Sequence, residues 1–165
     1  MTLSLGKPRS VIRRATEADV PTMVRLVHDL AEYEKAAEKC TLTEEQLRTA
    51  LFGSSSAVFG HVAEVDGAVV GVAIWVLNFS TWEGVHGIYL EDVYVVPGAR
   101  GTGLGKGLLT ALAREAAANG YRRVEWSVLN WNTPSILFYD SLGARPQTEW
   151  MTYRLTGPAL AALAK

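Results

Sequence analysis

Apolar residues at Val20, Met23, Val24, Val27, Leu30 and Ala31 recur with the period of a helix that buries one face. Ahead of them, "SVIRRATEAD" reads as a short strand and a helix start, with Thr16 as N-cap and Asp19 in the capping-box position. A second helix is predicted at "LTEEQLRTALFG", capped by Thr43, boxed by Gln46 and stopped by Gly53. The pattern then turns β-rich. "AVFGHVAEVDGAVVGVAIWVLNF" holds two strand-like runs joined at Asp66-Gly67, a hairpin signal because glycine accepts positive φ there. "GIYLEDVYVV" is a third long strand, ended by Pro97-Gly98. A helix is predicted from about Thr102 to Asn119, with Gly120 as its stop, followed by a strand at "RRVEWSVL". "NTPSILFYDSLGA" reads as a short helix with Pro134 near its first turn and Gly143 past its end, and "EWMTYRL" as a closing strand. The order is β-α-α-β-β-β-α-β-α-β. A hairpin followed by βαβ implies an α/β (α+β) chain whose mixed, mostly antiparallel central sheet is flanked by helices on both faces.

Composition narrows this picture. The chain has 165 residues, enough for one domain with a real core, expected over 11–165 behind a loose tail at 1–10. A formal net charge of -1 speaks against a dedicated nucleic-acid binder. Cys40 is the single cysteine, so no intrachain disulfide, CxxC or Cys/His metal cluster is available, which suits a reducing cytoplasm. "MTLSLGKPRS" lacks the apolar core of a signal peptide, and no segment reaches the roughly 18 apolar residues of a membrane span.

The densest run of glycines, from Gly101 to Gly107, lies between the third long strand and its helix. A P-loop would need glycine at 100, which is Arg100, and Ser or Thr at 107, which is Gly107. A dinucleotide fingerprint starting at Gly101 or Gly103 would end on Lys106 or Leu108, so both fail. What fits is Arg-x-x-Gly-x-Gly at Arg100, Gly103 and Gly105, which resembles the pyrophosphate loop of the GNAT superfamily of acetyl-CoA-dependent N-acetyltransferases. Small residues there let backbone N–H groups close on phosphates at the positive end of a helix dipole. The segments "YLEDVYV", "RGTGLG" and "WNTPSILFYDSLGA" are similar to those of the diamine (spermidine/spermine) N-acetyltransferase family. "IRRATEADV" and "LAEYEKAAEKCTLTEEQL" resemble its start, so the similarity runs from about Val11 to Leu155.

That resemblance implies a GNAT fold, acetyl-CoA as co-substrate, a small-molecule amine acceptor and a homodimer, with no metal, nucleic acid or membrane partner. The chemistry has two proton problems. An alkylamine with a pKa near 10.4 is neutral in roughly one molecule per few thousand at pH 7, so the acceptor needs a base. The departing thiolate is better released with a proton supplied, so an acid is needed too.

The resemblance places Tyr139, in "ILFYDS", at the family tyrosine facing the coenzyme sulfur, and so as the acid. Glu91 is expected to be the base, through a water. "IYLEDVYVV" sets two carboxylates side by side in an apolar strand, where neighbours point to opposite faces unless a bulge intervenes, and Asp92 shares the argument. Val93, Tyr94 and Val95 would lend backbone groups to the pantetheine arm as an added pseudo-strand. Arg100, Gly101, Thr102, Gly103, Leu104, Gly105 and Lys106 would hold the pyrophosphate, and Asn132 lies at a family cofactor position, unless it or Thr133 merely caps its helix.

Tyr33 and Glu34 match the family's amine-binding positions, and Glu149 with Trp150 would add a further acidic and aromatic wall beside Glu91 and Asp92. His28, His61 and His86 have no ligand spacing, and nothing near Cys40 would activate it as a nucleophile. The acceptor expected is a small di- or polyamine or a lysine-like amine such as thialysine. The alternatives are acetylation of another small or protein amine and, in a different class, a CoA-binding sensor that never turns over.

Overall fold

The structure, a computed structural model, describes residues 8–165. Residues 1–7 of the expected tail lie outside the described residues. Arg9 is already tied down: its N–H donates to Asp66 Oδ1 at 2.9 Å, and its carbonyl accepts from the Asp66 N–H at 2.9 Å. The described residues divide into two compact units, one ending at Ser127 and the other running from Val128 to Lys165.

The first unit is a five-stranded sheet in the order β1 (Ser10–Arg14), β2 (Val58–Val65), β3 (Ala68–Ser80), β4 (Val85–Val95) and β5 (Val124–Glu125). The first three pairings are antiparallel and β4–β5 is parallel, the mixed, mostly antiparallel sheet that the pattern predicts. Its helices are α1 (Val20–Tyr33), α2 (Glu44–Phe52) and α3 (Leu104–Asn119). Side chains alternate across the sheet. Val62, Val72, Ile74 and Tyr94 join Met23, Leu26, Val27 and Leu47 in one core beneath α1 and α2. The alternating residues Ala63, Ala73 and Trp75 face the other way, where α3 packs closely enough that a Cβ on Gly107 would sit 3.0 Å from Ile12. Each fully buried aliphatic side chain here contributes about 1.5–3 kcal/mol.

Capping largely follows the sequence. Thr43 Oγ1 accepts from the Gln46 N–H and Gln46 Oε1 accepts from the Thr43 N–H, a complete capping box. Thr16 caps a short 3-10 turn, Glu17–Asp19, rather than α1 itself, whose N-cap is Asp19. The Asp19 carboxylate has a larger task. It is buried, accepts 2.7 Å and 2.9 Å hydrogen bonds from the Arg13 guanidinium, and is held down to about 2 chiefly by that partner, against the upward push of burial.

The second unit holds α4 (Thr133–Ser141) and α5 (Gly157–Leu163). The closing strand predicted at "EWMTYRL" is absent: 151–156 have no regular structure, and α5 follows instead. Among the described residues the unit contains no strand for that segment to pair with, and a lone strand leaves its backbone groups unsatisfied. The strand predicted at "RRVEWSVL" shortens to Val124–Glu125. No helix among the described residues is long and apolar enough to cross a membrane.

Candidate active site

β4 carries a register slip that organises everything around it. Leu90 pairs with Trp75 and Asp92 with Ile74, so Glu91 is the extra residue of a β-bulge. Sequence reasoning named a bulge as the condition for the two carboxylates not simply facing opposite ways, and it is present. Glu91 is exposed and Asp92 half-buried. Cross-strand partners share a face, so Asp92 lies on the α1 side with Ile74, two residues before Tyr94 on the same side.

The slip coincides with the end of β4–β5 pairing. β5 is matched only to Ile88 and Tyr89, and from Glu91 to Val95 the described residues offer β4 no partner on that side. A bulge twists and bends its strand. The opened edge covers Val93, Tyr94 and Val95, the residues expected to lend backbone groups to a pantetheine arm. One of these groups is taken, since the Val95 carbonyl accepts 2.8 Å from Arg100 Nε.

Arg100 is engaged in other ways too. Its guanidinium lies 5.3 Å from the ring centroids of both Tyr33 and Tyr94, tying the end of α1 to the end of β4. Tyr33, Tyr94 and Arg100 thus form one stack in the first unit. Asp92 feels Glu34, the residue after Tyr33, and Glu91 as like charges. Burial first, then Glu91 and Glu34, pushes Asp92 up from its ordinary value to about 6. Burial also raises Glu34. Lys35, next in the chain, takes a left-handed backbone with φ 59°, an uncommon conformation for a side-chain-bearing residue.

The glycine turn has the form the pyrophosphate reading requires. Gly101 and Gly103 have φ of 75° and 87°, a region that disfavours any residue with a Cβ, and space beside both is open. Gly103 is the N-cap of α3, which starts two residues later than predicted and receives no side-chain cap. The N–H groups of Leu104, Gly105 and Lys106 therefore stand at the positive end of a 16-residue helix without a side-chain acceptor at its cap. Thr102 Oγ1 donates to the Ala99 carbonyl at 2.6 Å and stiffens the turn. These residues fit a phosphate-bearing ligand.

In the second unit, Asn132 is the N-cap residue of α4 by backbone, but its side chain makes no cap hydrogen bond and is 6% exposed. The capping alternative for that side chain therefore does not hold. Tyr139 lies seven residues on, two turns along α4, half-buried, with its ring 5.5 Å from that of Phe138. Pro134 and Gly143 (φ 85°) bracket the helix as predicted. Glu149 and Trp150 lie outside regular structure, and Trp150, 67% exposed, is no core tryptophan.

Residues to which the sequence assigned no site role build the scaffold. Trp75 Nε1 donates to His61 Nδ1 at 3.1 Å, and Arg14 reaches Glu115 of α3 at 2.7 Å while lying over the Trp75 ring. His28 is paired with the Leu42 carbonyl at 2.9 Å. Nothing in the hydropathy pattern marks these contacts, because each joins strands and helices far apart in the chain.

Residues 23–144 match the acetyltransferase (GNAT) family. The chain is 37% identical to thialysine N-epsilon-acetyltransferase of Bos taurus, over 93% of this chain and 96% of that protein. It is 31% identical to L-ornithine N5-acetyltransferase NATA1 of Arabidopsis thaliana, over 94% and 88%. Among solved structures, an integron cassette protein from the mobile metagenome of V. cholerae superposes with a TM-score of 0.79 at 28% identity, covering 94% of this chain and 98% of that one.

Proposed function

This chain belongs to the acetyltransferase (GNAT) family and is an amine N-acetyltransferase, and we propose that its acceptor is a primary amine on a short flexible chain. A lysine-like side-chain amine such as thialysine or ornithine, or a small di- or polyamine, meets that description. The names of the bovine and Arabidopsis relatives, each an acetyltransferase for the side-chain amine of an amino acid, support the first class. The observation that carries the reading is the carboxylate group around the β4 bulge, where Asp92 and Glu34 are both raised and neither forms an ion pair among the described residues. An alkylammonium supplies the missing counter-charge.

The glycine turn, Arg100 to Lys106, is proposed to hold the pyrophosphate of acetyl-CoA through the N–H groups at the start of α3, with Asn132 as a further contact. The opened β4 edge would receive the pantetheine arm. A carboxylate of the bulge takes a proton from the acceptor, the freed amine attacks the acetyl carbon, and Tyr139 protonates the departing sulfur. Tyr33 and Glu34 would line the acceptor's path, and Glu149 and Trp150 are proposed as its outer wall. The active form is proposed to be a cytoplasmic homodimer, which the exposure of Trp150, Met151 and Tyr153 supports.

The test is release of free CoA from acetyl-CoA against thialysine, ornithine, lysine, putrescine, spermidine, spermine and aminoglycosides. Turnover concentrated in the lysine-like or polyamine members supports the proposal. Turnover only with aminoglycosides removes the acceptor class, and CoA binding without turnover on any amine returns the sensor alternative.

A further inference from the structure

We infer that His61, buried on the α3 side of the sheet, is a positioning residue: through Trp75 it holds the β4 bulge in place, and it does so only while its imidazole is neutral. This rests on the acetyltransferase reading above, in which the bulge belongs to the acceptor site. His61 itself is assigned no contact with either substrate.

Trp75 is the residue on which the slip turns. On β3 the register shifts between Ile74 and Trp75, so Trp75 lies opposite Leu90, the last residue before Glu91. Phe59 of β2 is its partner on the other side, with the two rings stacked 4.5 Å apart. The guanidinium of Arg14 of β1 covers the same indole at 4.9 Å. His61, Trp75 and Leu90 are each at most 5% exposed. A bulged residue has no ladder partner of its own, so the packing of the residues beside it fixes where it stands.

The N–H of a buried indole needs an acceptor. Trp75 Nε1 finds it in His61 Nδ1 at 3.1 Å, a diagonal contact from β3 to β2. Indole only donates, so Nδ1 is the accepting nitrogen and the proton of the neutral ring sits on Nε2. Nε2 faces Glu115 Oε1 of α3 at 3.6 Å. Glu115 is held in turn by Arg14, the cross-strand neighbour of His61, at 2.7 Å. Three strands and α3 thus meet in one network that is complete only with a neutral imidazole.

A proton on Nδ1 turns two donors towards each other in a buried site. The Trp75 N–H loses its acceptor, and the imidazolium is drawn to Glu115 in competition with Arg14. Arg14 and Glu115 are the charged groups acting on His61, and Phe59, Ala63, Ala73 and Trp75 on the same face carry no charge. Burial first, then Arg14, makes His61 harder to protonate than an ordinary histidine, with Glu115 opposing. The unfolded chain takes up this proton near 6.5 and the folded chain only at lower pH, so the hold weakens as pH falls from about 6.5.

Three variants of the full chain separate this role from plain packing. His61→Gln keeps an acceptor for the indole and cannot titrate, His61→Leu removes the acceptor, and Trp75→Phe removes the donor. NMR follows the Trp75 indole N–H, the His61 ring and the backbone amides of 89–93 from pH 4.5 to 8, and kcat with thialysine and acetyl-CoA is measured over the same range. In wild type the indole resonance and the amides of 89–93 should move together with His61, at one midpoint below 6.5. His61→Gln should abolish that movement, and its kcat should be close to wild type at pH 8 and exceed it increasingly as pH falls. His61→Leu should shift the amides of 89–93 and lower kcat roughly 10- to 100-fold at pH 8, the loss expected of a slightly displaced site. Trp75→Phe should raise the His61 midpoint, because the hydrogen bond that favours the neutral ring is gone. Amides of 89–93 that ignore the His61 titration overturn the inference, as does one kcat–pH profile shared by wild type and His61→Gln. Absence of wild-type turnover on every amine tested removes the acceptor reading instead, and the NMR titration then decides this inference without it.

Discussion

Replacing Asp92 with Asn should make the protein more stable at neutral pH, and only there. The folded state holds the Asp92 proton more tightly than the unfolded chain does, with a value raised from 3.8 to about 6. Ionising this residue therefore costs the folded state, and the sign follows from linkage. Well below pH 3.8 both states are protonated and the penalty vanishes. It grows as pH rises through the interval between the two values and is complete above about 6. A gap of about two units corresponds to roughly 3 kcal/mol at most, and the residue's partial contact with water reduces this to about 1–3 kcal/mol. Asn keeps the shape and removes the charge. For a chain of this size each kcal/mol is worth about 2–4 °C, so the variant should melt roughly 2–12 °C higher at pH 7.5. Urea unfolding at pH 7.5 and pH 4, by circular dichroism, reads the effect directly. The gain should be present at the first and below about 0.5 kcal/mol at the second. An Asn variant no more stable than wild type at pH 7.5, or equally stabilised at both, refutes the account of Asp92 as a costly, unpaired charge. A gain of that size in the Asn variant would place Asp92 among residues kept for function rather than for the fold.

Asp19→Ala works with the opposite sign. Asp19 is held down to about 2, so its contribution is present above about 3.8 and is lost as pH falls towards 2. Removing it leaves Arg13 without its main partner and should cost about 2–4 kcal/mol in urea unfolding at pH 7, a difference that shrinks on acidification. Gly103→Ala forces a Cβ onto a backbone with φ 87° and should lose about 1–2 kcal/mol of stability, while isothermal titration reads weaker CoA binding as the α3 amides shift. Tyr139→Phe should lower kcat roughly 10²- to 10⁴-fold with CoA affinity unchanged, and an unaltered kcat would take the acid role away from Tyr139.

The elements whose signals are local were legible in the sequence. The period of α1, the Thr43–Gln46 box, the Asp66-Gly67 hairpin and the Pro134…Gly143 bracket all act within a few residues of themselves, and the structure has each of them. Strands with remote partners were less legible. "EWMTYRL" has the composition of a strand, yet a strand exists only where another edge accepts its hydrogen bonds, and composition does not say whether one does. The helix that stands after it had its own signal in "TGPALAAL", with Thr156 before a proline in the first turn and a run of alanine and leucine.

The same limit explains the candidate site. Two adjacent carboxylates in an apolar strand were enough to mark a candidate site, but not to tell the two apart, because their difference arises in the pairing with β3. One slip, between Ile74 and Trp75 on one strand and across Glu91 on the other, does three things at once. It turns Glu91 out to solvent, leaves Asp92 on the α1 side near Glu34 with no ion-pair partner among the described residues, and coincides with the point where β4 ceases to pair with β5. A bulge is one added residue with no fixed side-chain signature, so no hydropathy pattern would announce it. Removing it is therefore the sharpest structural perturbation available. Deleting Glu91 should bring β4 into continuous register with β3 and leave Asp92 opposite Ile74 on the α1 face, because Leu90 and Asp92 already pair with consecutive residues of β3, so only the bend and the Glu91 carboxylate are lost. Acetyl transfer should then fall further than in Glu91→Gln, which removes the charge but keeps the bulge, and equal losses in the two variants would refute a role for the bulge itself.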